Sequence, residues 1–221
     1  MFDAFSTFDY AVLSFFHDIV VSTGGSLNGI VRLVSMLGEH GLPLILISLV
    51  LTLFKKTRRV GVTMIVAIAF GALFTNVVLK NVVQRVRPFH SSDTFKQWWI
   101  AAGKTEESEW SFPSGHATCA MAFGLSYFLT CKKTHSWLGF VLALVIGATR
   151  LYLCVHYPSD VLFGFIDGAL GAVISYYLVK WIYVLMFRYP NNKLFKFYFN
   201  FSVVDFFRKK EKTEKSRIVN R

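Results

Sequence analysis

Three groups of polar residues stand out in a chain that is otherwise strongly apolar. The first group contains Lys80 and Arg87, which lie seven residues apart. Seven residues are about two helical turns, so we expect both cations on one side of a helix that extends the preceding apolar segment. Like charges on one helix face repel each other unless an anion lies between them. The spacing indicates an anion site, but basic side chains that reach for lipid headgroups would explain this group alone equally well.

The second group is Pro113-Ser114-Gly115-His116, which directly precedes an apolar segment. This pattern predicts a helix that begins here with Ser114 as its cap, and the free N–H groups of such a terminus favour an anion. Gly115 lets the backbone approach a ligand closely, and His116 would lie in the first helical turn. An ordinary helix cap with an interfacial histidine is the alternative for this group taken alone.

The third group consists of Arg150, His156 and Asp160. Arg150 ends an apolar segment, where an unpaired guanidinium is costly, so we expect an anionic partner. His156 and Asp160 are four residues apart, although Pro158 between them requires an irregular turn or a helix start. A carboxylate on one imidazole nitrogen leaves the other free as a nucleophile. Taken alone, such a pair more often holds a loop together, and only the other two groups favour the nucleophile.

Taken together, the three groups predict a site that cleaves a phosphate ester. Fixed cations and a helix N-terminus would hold the phosphoryl oxygens and stabilise the charge that develops on them. His156 would attack phosphorus and form a phosphohistidine. His116 would protonate the leaving oxygen and then activate water. Arg and Lys would carry the charge, so we expect neither a metal ion nor another cofactor.

The composition indicates that these groups belong to a membrane protein. Of the 221 residues, 54% are hydrophobic and only 17% are charged, and the mean hydropathy is +0.47. An ordinary soluble domain carries about 25% charged residues, which makes a soluble globule an improbable class here. The net charge of +11 would suggest nucleic acid as the partner of a soluble chain, so the position of the basic residues has to decide.

The apolar segments predict an all-α fold, a multi-pass transmembrane helical bundle with five to six spans. A spanning helix needs roughly 20 apolar residues. Five segments approach this length: 37–54, 60–79, 117–131, 137–153 and 161–186. We divide the chain into N-terminal amphipathic helices (1–36), a transmembrane phosphatase domain (37–187) and a tail (188–221).

Residues 5–21 have an apolar and a polar side at helical spacing, which predicts an N-terminal amphipathic helix. Such a helix lies in the membrane interface, or it is a sixth span with a polar stripe that packs against the bundle. Residues 26–37 have a similar pattern and are interpreted as a second interfacial stretch before the first span.

Basic residues predict the orientation of the bundle in the cell membrane. Clusters at 55–59 and 132–133, together with ten Lys and Arg between 188 and 221, fall on one side of a five-span bundle. The positive-inside rule makes this side cytoplasmic, together with the C-terminus. The loops 80–116 and 150–160, and with them the site, would then face the extracytoplasmic side. The positive charge therefore indicates membrane orientation and an anion site, with no nucleic-acid partner.

In these residues the chain resembles the type 2 phosphatidic acid phosphatase superfamily, the lipid phosphate phosphatases. The family motifs are Lys-x6-Arg-Pro, Pro-Ser-Gly-His and Ser-Arg-x5-His-x3-Asp, and this chain departs from them only by Thr149 in place of Ser. The resemblance extends over roughly residues 37–186. It implies that His156 is the nucleophile, His116 the acid and base, and Asp160 the residue that orients His156. It also implies a set of phosphate-binding residues: Lys80, Arg87, Ser114, Gly115 and Arg150.

We therefore expect a membrane enzyme that hydrolyses a lipid phosphomonoester or diphosphate, with membrane lipids as its surroundings. Candidate substrates are a polyprenyl diphosphate, phosphatidylglycerol phosphate and phosphatidic acid, and we favour the first two. A lipid phosphotransferase with the same site and a non-catalytic lipid-binding membrane protein are the alternatives. We also make predictions for three features outside the motifs. Arg85 would contact headgroups or add to the electrostatic field at the site, and we favour headgroups. Asp167 would be hydrogen-bonded to a neighbouring helix or support a proton path, and we favour the hydrogen bond. The loop 89–110 would form a lid whose Trp side chains lie among headgroups.

Overall fold

The computed structural model describes residues 2–131 and 134–203, and within these ranges the regular secondary structure is helical. Met1, the basic pair Lys132 and Lys133, and the tail beyond residue 203 lie outside the described residues, so the predictions made for them stay predictions. The α-helices are α1 (Ser6–Ser22), α2 (Asn28–Ser35), α3 (Leu42–Thr52), α4 (Arg58–Leu73), α5 (Lys80–Val83), α6 (Pro88–Ser91), α7 (Asp93–Ala101), α8 (Gly115–Thr130), α9 (Leu138–Tyr152), α10 (Pro158–Arg188) and α11 (Lys193–Asn200).

The predicted class, an all-α multi-pass membrane bundle, is confirmed. Four helical segments of the described chain are long and apolar enough to cross a membrane: Asp3–Ser22, Asn28–Thr52, Arg58–Ser91 and Pro158–Arg188. Helices α8 and α9, which we predicted as spans, have 16 and 15 residues and are shorter than a usual span. Both remain part of the bundle because they pack against each other and against α10.

Helix α8 forms the centre of the bundle, with α4, α9 and α10 packed around it. Its buried residues are mostly small and include Ala117, Ala120, Ala122 and Gly124. Small side chains let neighbouring helices approach closely, which is how helices associate where water contributes no hydrophobic driving force. Since α8 is surrounded by protein, it does not have to match the thickness of the lipid.

Helices α8 and α10 approach so closely that only glycine fits at two positions of α10. A Cβ atom at Gly164 would lie 2.7 Å from the carbonyl oxygen of Ser114. A Cβ atom at Gly168 would overlap the carbonyl oxygen of Thr118 and lie 2.9 Å from the nitrogen of Ala122. These contacts are with backbone atoms, which cannot move aside as a side chain can. The two glycines therefore set the distance between the helices that carry His116 and Asp160.

The first predicted span is interrupted near its start. Glu39 and His40 have non-helical torsions, and His40 and Gly41 have φ angles of 49° and 68°. Residues 37–41 are therefore a break between α2 and α3, whereas we predicted them as part of a continuous span. The apolar pattern could not reveal this break, because local backbone torsions do not alter the hydropathy of the flanking residues.

The helix that contains Lys80 ends sooner than predicted. A π-helical stretch, Phe74–Leu79, links α4 to α5, which ends at Val83, and Gln84 has a φ of 49°. Arg87 is extended, as expected for a residue that precedes proline. The prediction that Lys80 and Arg87 share one helix face is therefore wrong. The two cations reach the same site through a turn of the backbone.

Helix α1 lies against the end of the bundle where the predicted site residues are located. Asp9 contacts Ser159 at the start of α10, and His17 stacks on Trp98 of α7 with ring centroids 4.8 Å apart. Phe2, just before α1, packs against Phe112. These partners all belong to the loops and helix ends around the site, as expected for an interfacial helix. By length and composition the same segment could also cross a membrane, so both predictions for α1 remain open.

The opposite end of the bundle is joined to the C-terminal segment. The Arg58 guanidinium donates hydrogen bonds to the carbonyl oxygens of Tyr198 and Phe201 and lies 5.0 Å from the Tyr198 ring centroid. Helix α11 therefore lies beside the loop between α3 and α4. The basic residues of that loop and those of α11 occupy the same end of the molecule.

We expect Gly168→Ala to destabilise the protein by about 1–3 kcal/mol, because the added methyl group must push α10 away from the α8 backbone. Thermal unfolding of the purified protein in detergent measures the effect. Gly29→Ala is the matched control, since a Cβ atom at this exposed helical glycine meets nothing within 4 Å. Equal unfolding midpoints for the two variants would contradict the proposed role of Gly168 in helix spacing.

Candidate active site

The structure brings most of the predicted site residues to one cavity of about 580 Å³. The cavity lies at one end of the bundle, between the α2–α3 break, α5, the loop 104–109 and the start of α8. Six of the eight predicted residues line it: Lys80, Arg87, Gly115, His116, Arg150 and His156. The other two, Ser114 and Asp160, are fully buried behind its wall.

The start of α8 is built as the sequence predicts. Ser114 is the cap and its hydroxyl accepts a hydrogen bond from the nitrogen of Ala117, 3.5 Å away. Gly115 and His116 form the first turn and face the cavity. The Ser114 nitrogen donates to the backbone oxygen of Asp160 at 3.1 Å, which ties the starts of α8 and α10 together. A direct contact of the Ser114 hydroxyl with phosphate stays a prediction, because this hydroxyl caps the helix.

Arg87 is the cation nearest to the predicted nucleophile. Its Nη1 lies 3.3 Å from Nε2 of His156 and donates to the carbonyl oxygen of Val155 at 2.9 Å. Its Nε donates to the carbonyl oxygen of Glu109 at 2.7 Å, and its Nη2 forms an ion pair with Glu107 at 3.2 Å. These bonds fix the guanidinium plane beside His156. A phosphoryl group on the nucleophile would therefore lie within reach of a rigidly held cation.

Arg150 approaches the cavity from α9 and is only 2% exposed. Its Nη1 donates to the hydroxyl of Ser35 at 2.6 Å, and its Nη2 forms an ion pair with Glu107. The expected anionic partner of Arg150 is thus present within the chain. Glu107 bridges Arg150 and Arg87, so one carboxylate forms ion pairs with two of the three cations that we predicted to bind phosphate.

Lys80, the third cation, forms an ion pair with Glu109 from the same loop. The Lys80 hydrogen bond and the positive charges nearby hold the pKa of Glu109 below its usual value, against the opposing effect of burial. Glu109 therefore remains ionised at neutral pH. The acidic loop, residues 104–109, places two of its three carboxylates, those of Glu107 and Glu109, on the cations that a phosphoryl group would need. Sequence reasoning did not predict this arrangement.

Asp160 lies behind His156 and is the third residue of α10, which begins at Pro158. Of the two alternatives that Pro158 allowed, an irregular turn or a helix start, the structure has the helix start. Its Oδ2 is 3.7 Å from Nδ1 of His156, which is within ion-pair range but longer than a hydrogen bond. Oδ2 also accepts hydrogen bonds from the Ser111 hydroxyl at 2.5 Å and from the Tyr157 nitrogen at 2.9 Å. The carboxylate is held in place and faces the ring nitrogen of the predicted nucleophile.

His156 lies in the connection between α9 and α10 and is buried. Burial lowers its pKa well below 6.5, and the positive charges of Arg87 and Arg150 lower it further. The imidazole is therefore neutral at pH 7. Neutral imidazole has a free electron pair, which is the form that a nucleophilic role requires.

Several residues outside the motifs have positions that we did not predict. The Arg85 side chain is only 10% exposed and forms an ion pair with Asp160 at 2.5 Å, so the expectation that it contacts headgroups is wrong. Trp98 and Trp99 of the loop 89–110 are buried in an apolar cluster, so these two rings do not lie among headgroups as expected. Trp98 lies against Tyr10 and His17 of α1, and Trp99 stacks on Phe89. The packing partners of α1 cannot be read from sequence spacing.

The structure also shows the hydrogen bonds of Asp167 and of Thr149. Asp167 accepts a hydrogen bond of 2.5 Å from the Thr75 hydroxyl in the stretch that follows α4, which confirms the expected bond to a neighbouring helix. Thr149, the departure from the family motif, donates its hydroxyl to the carbonyl oxygen of Ile146 at 2.6 Å. This hydroxyl bonds within its own helix, so the Thr side chain fits without disturbing the cavity.

Comparison with known proteins agrees with the site geometry. The family model of the PAP2 superfamily matches residues 60–183, which include the three motifs. An undecaprenyl-diphosphatase from Sulfolobus acidocaldarius is 30% identical over 70% of this chain and 70% of its own length. Phosphatidylglycerophosphatase B from Bacillus subtilis is 33% identical over 70% of this chain and 74% of its own length.

A solved structure has the same fold. The crystal structure of a transmembrane PAP2-type phosphatidylglycerolphosphate phosphatase from Bacillus subtilis matches with a TM-score of 0.53 at 27% identity. The match covers 82% of this chain and 96% of that chain. The similarity therefore extends over most of this chain and is not confined to the motifs.

We expect Glu107→Gln to bind inorganic phosphate about three- to tenfold more tightly than the wild type, because the ionised carboxylate no longer competes for Arg87 and Arg150. Isothermal titration of the detergent-purified protein with phosphate measures this affinity. Glu106→Gln is the matched control, because Glu106 is the exposed neighbour in the same loop. Unchanged or weaker phosphate binding by Glu107→Gln would show that Glu107 does not occupy the anion site.

Proposed function

Because this chain belongs to the PAP2 superfamily, we propose that it hydrolyses a phosphomonoester or diphosphate of a membrane lipid. One observation carries the proposal. Lys80, Arg87 and Arg150 converge on one cavity with His116 and His156, at the end of a membrane-spanning bundle. Cations and histidines in this arrangement serve phosphoryl transfer, and the location suits a substrate anchored in the bilayer.

The proposed reaction has two steps and begins at Nε2 of His156. This nitrogen attacks phosphorus, the N–P bond forms, and the bond from phosphorus to the leaving oxygen breaks. His116 donates a proton to that oxygen, and Asp160 stabilises the positive charge on His156 through Nδ1. In the second step His116 accepts a proton from water, the new O–P bond forms and the N–P bond breaks. Inorganic phosphate leaves and His156 returns to its neutral form.

The neutral state of His156 in the free protein supports this assignment. Burial and the cations Arg87 and Arg150 lower its pKa, so the electron pair is available before the substrate binds. An arriving phosphoryl group neutralises those cations and adds negative charge next to the ring. The same cations then stabilise the three phosphoryl oxygens as charge spreads over them in the transition state.

We propose that the reaction needs no metal ion. Lys80, Arg87 and Arg150 supply three positive charges, and the start of α8 adds free N–H groups beside them. Together with Gly115 and Ser114, these residues would form the phosphate-binding site. The Lys and Arg side chains give the charge stabilisation that a divalent cation supplies in other phosphoryl-transfer enzymes.

For the substrate we favour a polyprenyl diphosphate or phosphatidylglycerol phosphate. Two relatives support this choice, because one is named as an undecaprenyl-diphosphatase and the other as a phosphatidylglycerophosphatase. Phosphatidic acid presents the same phosphoryl group and remains a candidate. A lipid phosphotransferase would pass the group to a second molecule, and a lipid-binding protein would release no phosphate, so both alternatives are distinguished by the product.

We propose that the cavity faces the extracytoplasmic side of the cell membrane. The basic loop between α3 and α4 and the basic residues of α11 lie at the end opposite the cavity. Basic loops remain on the cytoplasmic side during membrane insertion. The C-terminus would then be cytoplasmic, and the acidic loop would lie outside.

We expect the detergent-purified protein to release inorganic phosphate from at least one of undecaprenyl diphosphate, phosphatidylglycerol phosphate and phosphatidic acid. His156→Ala should lower the rate by about a thousandfold or more, since no other group replaces the nucleophile. His90→Ala changes an exposed histidine outside the cavity and should retain wild-type activity. The same assay with a chelator tests the role of metal ions.

Three results would overturn parts of this proposal. Activity that persists in His156→Ala would refute the phosphohistidine step, and activity lost with the chelator would refute metal independence. Radioactive phosphate that appears in a second lipid in place of inorganic phosphate would identify a transferase.

Cysteine labelling tests the orientation. We expect Ser108→Cys to react with a membrane-impermeant maleimide in intact cells, because Ser108 is exposed in the acidic loop. Lys56→Cys, at the opposite end, should react only after the membrane is permeabilised. The wild-type chain, whose Cys119 and Cys154 are buried, serves as the blank. The reverse labelling pattern would place the cavity on the cytoplasmic side.

A further inference from the structure

A buried cluster of charges lies behind Asp160, on the side away from the cavity. It consists of Asp160 itself, Arg85 from the turn after α5, and Asp9 from α1. Their side chains are 0%, 10% and 3% exposed, respectively. Neither Arg85 nor Asp9 lines the cavity. A buried cation between two buried carboxylates is costly to form, so its position directly behind the proposed catalytic dyad calls for an explanation.

Arg85 uses both terminal nitrogens to connect the two carboxylates. Its Nη1 donates to Oδ1 of Asp160 at 2.5 Å, and its Nη2 donates to Oδ2 of Asp9 at 2.7 Å. Arg85 thus binds Oδ1 of Asp160 on the side away from His156. The other oxygen, Oδ2, faces the imidazole of His156. The orientation of the Asp160 carboxylate thus depends on the guanidinium.

Other contacts hold the guanidinium itself. It lies between two aromatic rings, with its central carbon 4.0 Å from the Phe2 centroid and 3.8 Å from the Tyr157 centroid. The carbonyl oxygen of Arg85 accepts from the nitrogen of Ser111, whose hydroxyl donates to Asp160. A cation held between two π faces and two carboxylates has little freedom to move.

Asp9 fastens this assembly to the start of α10. Its Oδ1 accepts from the nitrogen of Ser159 at 2.9 Å, and its Oδ2 accepts from the Ser159 hydroxyl at 2.7 Å. The Ser159 hydroxyl also lies 2.7 Å from Nη1 of Arg85. Asp9 therefore contacts both Arg85 and the residue adjacent to Asp160. Helix α1 takes part in the surroundings of the site, although it contributes no residue to the cavity.

We propose that Arg85 and Asp9 are positioning residues for the reaction. Arg85 fixes the Asp160 carboxylate so that one oxygen faces Nδ1 of His156, and Asp9 fixes Arg85 from helix α1. This inference rests on the proposed function, because it assigns the two residues an effect on His156 as nucleophile. Neither residue touches the phosphoryl group, so both act on the rate of the chemical step and leave substrate binding unchanged.

The arrangement of charges makes the proposal specific. Arg85 separates two carboxylates, and without it Asp9 and Asp160 would face each other across a buried gap. Buried like charges repel strongly, and one of the two would take up a proton or move away. Loss of Arg85 should therefore be worse when Asp9 is charged than when Asp9 is neutral. A residue that merely supports the fold would not give this dependence.

The test measures kcat and KM for the lipid substrate with four chains: wild type, Asp9→Asn, Arg85→Gln and the double variant. We expect Arg85→Gln to lower kcat by about tenfold or more while KM stays within about twofold. The double variant should recover at least about threefold in kcat over Arg85→Gln, because the uncompensated carboxylate is gone. Thermal unfolding in detergent shows that each variant is folded.

Two matched controls separate positioning from general stability. Asp18→Asn makes the same change at an exposed position of the same helix, and its kcat should equal that of the wild type. Arg58→Gln removes a buried arginine at the opposite end of the bundle, so it should lower the unfolding midpoint without a comparable loss of kcat. If Arg85→Gln does not fold, Arg85→Lys is measured as a single variant, because lysine keeps the charge but cannot donate to both carboxylates as a fork. Its kcat should fall while its KM stays within about twofold, and an unchanged kcat would overturn the inference.

The outcomes are distinct. A wild-type chain that releases no phosphate overturns the proposed function and this inference with it. Wild-type activity together with an unchanged kcat in the Arg85 variant overturns this inference alone. A double variant that is no better than Arg85→Gln also overturns it, as does an effect confined to KM.

Discussion

Positive charge inside an apolar bundle has to be neutralised, and this constraint organises the end of the molecule that contains the cavity. Lys80, Arg87 and Arg150 are at most 6% exposed. In the free protein their counter-charges are Glu107 and Glu109, which bring the acidic loop down onto the cavity. A phosphoryl group would satisfy the same cations. Binding of a phosphoryl group and the ion pairs of the acidic loop are therefore competing ways to neutralise the same three cations.

The same requirement extends behind the cavity, where the signs alternate. The Asp160 carboxylate lies between His156 on one side and Arg85 on the other, and Asp9 follows beyond Arg85. Such an arrangement works only at distances near 3 Å, so the elements that carry the charges must be spaced accurately. The close approach of α8 and α10 at Gly164 and Gly168 fixes one of these relations, the position of His116 at the start of α8 relative to Asp160 at the start of α10. Packing in the apolar part of the bundle thus determines the geometry of its polar end.

The sequence was sufficient to predict the features that depend on local chemistry. The helix start at Ser114 was predicted from residue type, and the helix start at Pro158 was one of two alternatives that proline allowed. The convergence of the cations was also predicted, although Lys80 and Arg87 reach the cavity through a turn and do not share a helix face. The family, the all-α class and the membrane location are likewise confirmed. These predictions succeed because capping, proline restriction and the cost of a buried charge act within a few residues.

The failures concern contacts between distant segments and local backbone turns. Arg85 was assigned to headgroups because its partner Asp9 lies 76 residues away and no pattern joins them. Trp98 was placed among headgroups because its burial depends on α1. The left-handed Gln84 ends the helix before Arg87, whereas the seven-residue spacing of Lys80 and Arg87 predicted one continuous helix. Two features were not predicted: the acidic loop on the cations, whose contacts join distant segments, and the break at residues 37–41, which is a local backbone turn.

The size of the cavity has a consequence for the hydrocarbon part of a lipid. A volume of about 580 Å³ holds a phosphorylated headgroup, but it is far too small for a long polyprenyl tail or two acyl chains. Its lining includes Met36, Ala72 and Asn76, so one wall is formed by the α2–α3 break and the end of α4. A substrate of the proposed kind would keep its tail among the bilayer lipids while only the headgroup enters. Tail length would then contribute little to selectivity, and substrates would arrive by diffusion within the plane of the membrane.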